Sequence, residues 1–452
     1  MNPQIFREYD IRGVADRDLT DDVALAIGRS IGTFCAERGK RTIVVGRDCR
    51  VSSKRLRDAL VRGLVETGRH VIEIEVGPTP LLYFAVHHLD ADGGVMVTGS
   101  HNPPEDNGFK ILVGKDTVHG DDIRAIGRRA VSGDFTVAGG GSVSKQVVSN
   151  AYIAFMKGNI RLAHTNLRVV IDAGNGAGGP LAVATMRALG INPDTLYCDM
   201  DGRFPNHHPD PTLPENVAEL VARVVSTDAD IGIAFDGDAD RIGAVDRNGD
   251  IVWGDKLLIV FARSILARRP GEAILGEVKC SQTLYDDIAK QGGRPILWKT
   301  GHSLIKAKMK QEKALVAGEM SGHMFFADRY YGFDDAIYAA LRLLEILAAR
   351  GESLGEILHD VPTTYATPEI RVDCPEEQKF DVVQKVLAHY RRTHDVVDVD
   401  GARINFGDGW GLVRASNTQP VLVLRFEANT PERRDQLRAE VEAVVAEARG
   451  QR

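Results

Sequence analysis

Apolar residues at positions 23, 24, 27, 31, 34 and 35 keep to one face of a helix, and the β-branched run "TIVVGRD" (42–48) follows after a short gap. The alternation then repeats. "SKRLRDALVRGLVETG" (53–68) places Leu56, Leu60 and Leu64 on one face and stops at Gly68, while "HVIEIEV" (70–76) and "GGVMVTG" (93–99) read as buried strands. Strands alternating with helices of this length constrain the chain to a largely parallel sheet with both faces covered.

The pattern restarts twice. "LRVVIDAGNGAGGPLAVATMRALG" (167–190), "DTLYC", "NVAELVARVV" and "ADIGIAFDGDAD" (229–240) make a second set, and "KLLIVFARSILA" (256–267), "AILGEVKC", "RPILWKT" and "DDAIYAALRLLEIL" (334–347) a third. Beyond residue 365 a helix, several strands and a last helix from Pro431 predict a smaller α+β unit. The expected domains are therefore 1–147, 148–249, 250–365 and 366–452. At about 150 residues per domain, 452 residues suggest about three domains, and the change of pattern beyond residue 365 adds the smaller fourth.

Composition excludes several classes of function. The formal net charge of −7 provides no overall positive field for nucleic acid or an anionic membrane. "MNPQIFREYDIRG" lacks the pattern of a secretory leader, and the longest apolar run, "LLIVFA" (257–262), ends at Arg263. A cytoplasmic protein is expected, monomeric or a small homo-oligomer. The cysteines Cys35, Cys49, Cys198, Cys280 and Cys374 are scattered without C-x-x-C spacing, which suits reduced thiols better than a zinc site.

Four stretches carry chemistry. In "AFDGDADRIG", Asp236, Asp238 and Asp240 stand at i, i+2 and i+4 after an apolar run. Three carboxylates this close repel one another unless a cation joins them, and hard oxygen ligands favour Mg²⁺ or Ca²⁺. An EF-hand is excluded because Arg241 and Arg247 occupy its required glycine and glutamate positions. A solvated acidic turn is the plain alternative. In "TGSHNPPEDNGFK" (98–110), Ser100 follows a strand at the edge where open α/β sheets bind ligands, with His101 and Lys110 available to a phosphate. Thr98 and Asn102 rule out a G-x-S-x-G elbow, and the segment can equally be only a turn.

"GEMSGH" (318–323) gathers Glu319, Ser321 and His323, groups that hydrogen-bond sugar hydroxyls, and Lys279 and His302 fall in the same unit. "RASNTQP" (414–420) sets Arg414 before small polar residues, as an anion nest or a polar hairpin loop would. "GNGAGG" (174–179), with Asp199 or Asp201 downstream, fits a dinucleotide fingerprint and admits an NAD-dependent Rossmann dehydrogenase. That reading leaves the acidic triplet, the serine loop and the arginine nest unexplained.

Taken in order, "YDIRG" (9–13), "GRDCR" (46–50), "TGSHNPPEDNGFK", "DAGNGAGG", "DGDADR", "TGHS" (300–303), "GEMSGH" and "RASNTQP" resemble the α-D-phosphohexomutase superfamily over essentially the whole chain. The methionine of "GEMSGH" and the glycine of "TGSHNP" look more like its phosphomannomutase/phosphoglucomutase branch than its phosphoglucosamine branch. The resemblance implies three related α/β domains with mixed, mostly parallel sheets and a smaller C-terminal α+β domain around a central cleft. It implies a phosphoserine at Ser100 and one Mg²⁺ held by that group with Asp236, Asp238 and Asp240. It further implies a sugar loop of Glu319, Ser321 and His323, a phosphate loop of Arg414, Ser416, Asn417 and Thr418, and cleft residues Tyr9, Arg12, Lys279 and His302.

The expected activity moves a phosphoryl group between the 1- and 6-positions of mannose or glucose phosphate through a hexose 1,6-bisphosphate. Ser100, His101, Lys110, Arg241 and His323 are the catalytic candidates, with the base left between His323 and Lys110. Phosphoglucosamine mutase and a non-catalytic sugar-phosphate binding protein are the other readings of the same resemblance.

Overall fold

The computed structural model describes residues 1–417 and 419–450 and contains four sheets. The first runs Ile11–Val14, Asp106–Val113, Gly93–Val97, Thr42–Arg47, His70–Val76 and Ser142–Gln146 in spatial order. Its centre is parallel, as the strand–helix alternation requires. Asp106–Val113 and Ile11–Val14 instead add antiparallel at one side, pairing Met96 with Lys110 and Arg12 with Gly108. Those two strands carry the cations Arg12 and Lys110 to the edge where the serine loop emerges.

The helices follow their local signals. Helix Asp21–Glu37 begins at Thr20, whose side chain accepts from Val23 N, with Asp21 and Asp22 in its first turn. Helix Ser53–Glu66 ends just before Gly68, which adopts φ +79°.

The second sheet places Ile231–Phe235 between parallel Val169–Asp172 and antiparallel Ile242–Asp246. The acidic triplet is the hairpin loop of that antiparallel pair, so both of its ends are anchored in the sheet. The third sheet has the order Arg294–Trp298, Ala273–Glu277, Val316–Gly318 and Met324–Phe326. "GEMSGH" is again a hairpin, between Val316–Gly318 and Met324–Phe326. The fourth sheet pairs all its strands antiparallel around Val421–Ala428, and helices Lys379–Tyr390 and Pro431–Ala448 pack on it.

One continuous apolar core runs from Val44 and Phe84 through Ile171 and Ile233 to Ile274 and Tyr338, fusing the first three units. The last unit keeps a core of its own. It meets the third through a small cluster of Val278, Trp410 and Leu412 and through Arg403, which donates to the carbonyls of Val278 (2.5 Å) and Cys280 (2.8 Å). All five cysteines are unpaired. Among the described residues no helix is long and apolar enough to cross a membrane.

Candidate active site

The serine loop is held from below by Arg50, a buried residue of "GRDCR". Its guanidinium donates to the carbonyls of Ser100 (2.7 Å), Asn102 (2.6 Å), Pro103 (2.5 Å) and Asp106 (3.0 Å). Four backbone acceptors on one planar cation fix the loop more firmly than its prolines can alone. Ser100 itself sits at φ +50°, a strained conformation for a non-glycine residue, with Thr98 Oγ1 accepting from its N–H at 2.9 Å. Strain of this kind persists where surroundings over-determine the backbone, and Arg50 does so here.

This conformation aims the Ser100 hydroxyl across the unit boundary, where Oγ donates to Asp236 Oδ2 at 2.9 Å and lies 3.1 Å from His101 Nδ1. The two loops touch backbone to backbone. A Cβ on Gly237 would meet the Ser100 carbonyl at 2.3 Å, so only glycine allows the approach. "GNGAGG" supports the same contact: Ala177 N donates to Gly237 O at 2.9 Å, and a Cβ on Gly176 would strike that carbonyl. Its glycines seat the acidic loop, which accounts for them without a dinucleotide.

Asp236, Asp238 and Asp240 are fully buried, and one oxygen from each falls within 4.8 Å of the others. Lys110 Nζ donates to Asp238 Oδ2 at 2.8 Å and to Asp240 Oδ2, and Thr79 Oγ1 donates to Asp238 at 2.5 Å. Asp238 Oδ1 and Asp240 Oδ1 have no hydrogen-bond partner among the described residues. Two buried carboxylate oxygens without a hydrogen bond, beside a third carboxylate, are the donor set of a hard divalent cation, so the residues fit a Mg²⁺ ion. Burial first, then Asp240 and Asp238, pushes the Asp236 carboxyl well above the usual carboxylate range. Burial would raise Asp238 too, yet Lys110 more than offsets it and holds that group below the range. Lys110 is correspondingly held as an ammonium, its burial outweighed by Asp238 and Asp240.

His323 reaches the same centre from the third unit. Arg241 Nε donates to its Nε2 at 2.9 Å, and because a guanidinium only donates, a neutral ring carries its proton on Nδ1. Nδ1 faces Asp334 Oδ2 at 3.1 Å and Asp240 Oδ1 at 3.6 Å. Asp334, fully buried, accepts from Lys306 Nζ at 2.9 Å through its other oxygen. His302 stacks on His323 with centroids 5.9 Å apart; neither of its ring nitrogens has a hydrogen-bond partner among the described residues, and Nδ1 lies 3.8 Å from Asp334 Oδ2. Burial, then Lys306, drives His302 well below the ordinary histidine value, as burial and Arg241 do His101.

The remaining predicted residues are joined by contacts between the loops. Arg12 donates to Asp10 (2.7 Å) and to Asn102 of the serine loop (2.6 Å). Glu319 accepts from Gly301 N (2.7 Å) and from Ser321 Oγ (3.2 Å). Lys279 pairs with Glu369 at 3.2 Å. Arg414 pairs with Asp400 at 3.0 Å, and Asp400 also accepts from Thr300 N. Lys379, almost wholly buried, donates to the carbonyls of Ser416 (2.6 Å) and Gln419 (3.2 Å), holding the arginine loop as Arg50 holds the serine loop. Asn417 lies against Tyr9, and Thr418 lies outside the described residues.

Family models for phosphoglucomutase/phosphomannomutase match the chain in sequence: alpha/beta/alpha domain I over residues 3–136, domain II over 150–249, domain III over 253–365 and the C-terminal domain over 369–444. The chain belongs to the phosphoglucomutase/phosphomannomutase family. Among its relatives, a phosphomannomutase/phosphoglucomutase of Pseudomonas putida is 47% identical over 94% of this chain and 92% of its own length. A phosphoglucomutase of Neisseria gonorrhoeae is 44% identical over 98% and 96%. A solved phosphoglucomutase/phosphomannomutase family protein of Burkholderia thailandensis superposes with a TM-score of 0.93 at 41% identity, covering 99% of this chain and 98% of that one.

Within the family frame, Arg50, Asp334, Lys306 and Lys379 are the residues that motif reading left without roles. Arg50 closes the motif "GRDCR" (46–50). The others sit outside the motifs in ordinary helical or acidic context, and no local signal marks them.

Proposed function

We propose that this family member interconverts the 1- and 6-phosphates of mannose, glucose or both, with Ser100 as the phosphoryl carrier and a hexose 1,6-bisphosphate as the intermediate. The observation that carries the reading is Ser100 Oγ at 2.9 Å from Asp236, at the head of three buried carboxylates with Lys110 against two of them. Four domains, 1–147, 148–249, 250–365 and 366–452, would each supply one loop.

Asp236, Asp238, Asp240 and the phosphorylated Ser100 would hold Mg²⁺, which when bound supplies positive charge beside the transferring phosphoryl group. In the forward step the bond from phosphorus to Ser100 Oγ breaks as one forms to the free sugar hydroxyl. His323 Nε2 takes the hydroxyl proton once substrate displaces its contact with Arg241. Lys110, held as an ammonium, serves charge neutralisation rather than base catalysis. Ser100 Oγ regains a proton by way of His101 Nδ1, 3.1 Å away. The bisphosphate then turns over, and Arg414, Ser416, Asn417 and Thr418 receive whichever phosphate is remote from the serine. Glu319 and Ser321 bind sugar hydroxyls, with Tyr9, Arg12, Lys279 and His302 along the cleft wall.

The test sets mannose 1-phosphate, glucose 1-phosphate and glucosamine 1-phosphate side by side, with a trace of hexose 1,6-bisphosphate, against the native chain and Ser100→Ala. Turnover of the first two that falls roughly 10³-fold or more in the variant is expected. Near-normal turnover by Ser100→Ala refutes the covalent carrier, and a preference for glucosamine 1-phosphate reassigns the substrate.

A further inference from the structure

Away from the cleft, the first and third units enclose a cavity of about 840 Å³, within the ~300–1,000 Å³ typical of small-molecule sites. Of the residues described around His323 it shares Lys306, which lines the cavity and also holds Asp334. Leu112, Met309, Leu315 and Phe333 give it an apolar wall, and Lys115, Lys310 and Lys313 line its solvent side. Asp116 is the one acid in the lining, and both its oxygens are already held by Lys310 Nζ at 2.9 Å. Lys115 lies 3.3 Å from Asp90 and Lys306 2.9 Å from Asp334, so the four lining lysines outnumber the three carboxylates that pair with them, a small local excess of cations in a chain of net charge −7.

The floor of the cavity is polar and incomplete. Tyr83 and Ser303 are buried, and neither hydroxyl has a hydrogen-bond partner among the described residues. Beside them Lys306 Nζ lies 4.4 Å from the Tyr83 ring centroid. Buried hydroxyls are ordinarily partnered, and two orphans beside an ammonium make a set of donors waiting for an acceptor. Burial, then Asp334, keeps the Tyr83 phenol far above its ordinary value, so it stays a donor. The cavity is larger than inorganic phosphate needs, and its apolar wall offers contact to the rest of a molecule.

We propose that this cavity is a second ligand site, for a small organic phosphate whose anionic group seats on Tyr83, Ser303 and Lys306 while its charged remainder lies along Lys115, Lys310 and Lys313. Occupancy reaches the cleft through Lys306. The same ammonium holds Asp334, whose other oxygen faces His323 Nδ1, so an anion that draws Lys306 toward the cavity loosens the imidazole's support. This coupling, unlike the binding, rests on the function proposed above.

The probe is ADP, titrated calorimetrically into the full-length Ser100→Ala chain with saturating glucose 1-phosphate occupying the cleft. One-to-one binding is expected, weakened roughly tenfold or more in a Lys310→Glu/Lys313→Glu background. Tyr83→Phe removes an unpartnered hydroxyl, so it should leave the thermal midpoint of the free protein unchanged or higher while weakening ADP by about threefold or more. Absent heat with ADP, or equal affinity in the lysine variants and their parent, overturns the site. Equal affinity in Tyr83→Phe overturns the floor as the phosphate seat. In the enzyme with Ser100 intact, ADP should change kcat or KM for hexose phosphate by about twofold or more, and not in the lysine variant. ADP binding without that change removes the coupling alone, and loss of mutase turnover with ADP binding intact refutes the proposed function and leaves the site standing.

Discussion

The Tyr9 hydroxyl accepts a hydrogen bond of 2.8 Å from Asn417 Nδ2, 408 positions away, while donating to Thr300 O at 2.9 Å. One phenol thus ties the first unit to the third and to the last, across a boundary whose apolar contact is small. Its burial raises its pKa far above the ordinary tyrosine value, so it stays protonated and keeps its donor role.

Tyr9→Phe should therefore leave the fold intact and loosen the last unit over the cleft. Losing two bonds worth about 1 kcal/mol each corresponds to a KM for hexose phosphate raised by up to roughly 30-fold, with kcat less affected. Steady-state kinetics decide it, and an unchanged KM would show that the tie does not help to hold substrate.

Asp334→Asn should lower kcat by roughly 10- to 100-fold with little change in KM, because Asp334 touches His323 and Lys306 rather than the sugar. It is a positioning residue. A variant that raises KM while keeping kcat would place Asp334 in substrate binding instead.

Mg²⁺ should raise the thermal midpoint of the native chain, because a cation offsets the burial first, and then the repulsion by Asp240 and Asp238, that push Asp236 upward. Chelation should abolish turnover and added Mg²⁺ restore it. In Asp238→Asn the thermal response to Mg²⁺ should shrink or vanish, and a response equal to the native one would remove Asp238 from the ligand set.

The Lys279–Glu369 pair joins the third unit to the last. Lys279 first, against the opposing effect of burial, lowers Glu369 from 4.5 to about 2. A lowered carboxyl binds fewer protons folded than unfolded, so its stabilisation is present above pH 4.5 and fades as pH falls toward 2. The gap in denaturation midpoint between the native chain and Glu369→Gln should therefore be widest near neutrality and close as pH falls below 4. A gap that holds constant with pH would mean that the pair carries none of the acid sensitivity.

Much of the architecture was legible beforehand. The helices Asp21–Glu37 and Ser53–Glu66 and the strands Thr42–Arg47 and His70–Val76 follow their apolar periods closely. The antiparallel additions Ile11–Val14 and Asp106–Val113 do not announce themselves, because an antiparallel edge depends on which neighbour is free to pair. Likewise "GNGAGG" satisfies a dinucleotide pattern by residue type, and only its packing under Gly237 shows what the glycines are for.

By itself the sequence determined the kinds of elements and the residues that carry charge and hydroxyls, since periodicity and side-chain chemistry are local properties. Tertiary structure decided which of them meet. Arg50 became the clamp of the serine loop, Asp334 the support of His323, and Tyr83 and Ser303 the floor of a second cavity because burial and partnership arise from segments far apart in the chain. A buried polar group takes its meaning from whatever packing leaves within hydrogen-bond reach, and no spacing along the chain encodes that.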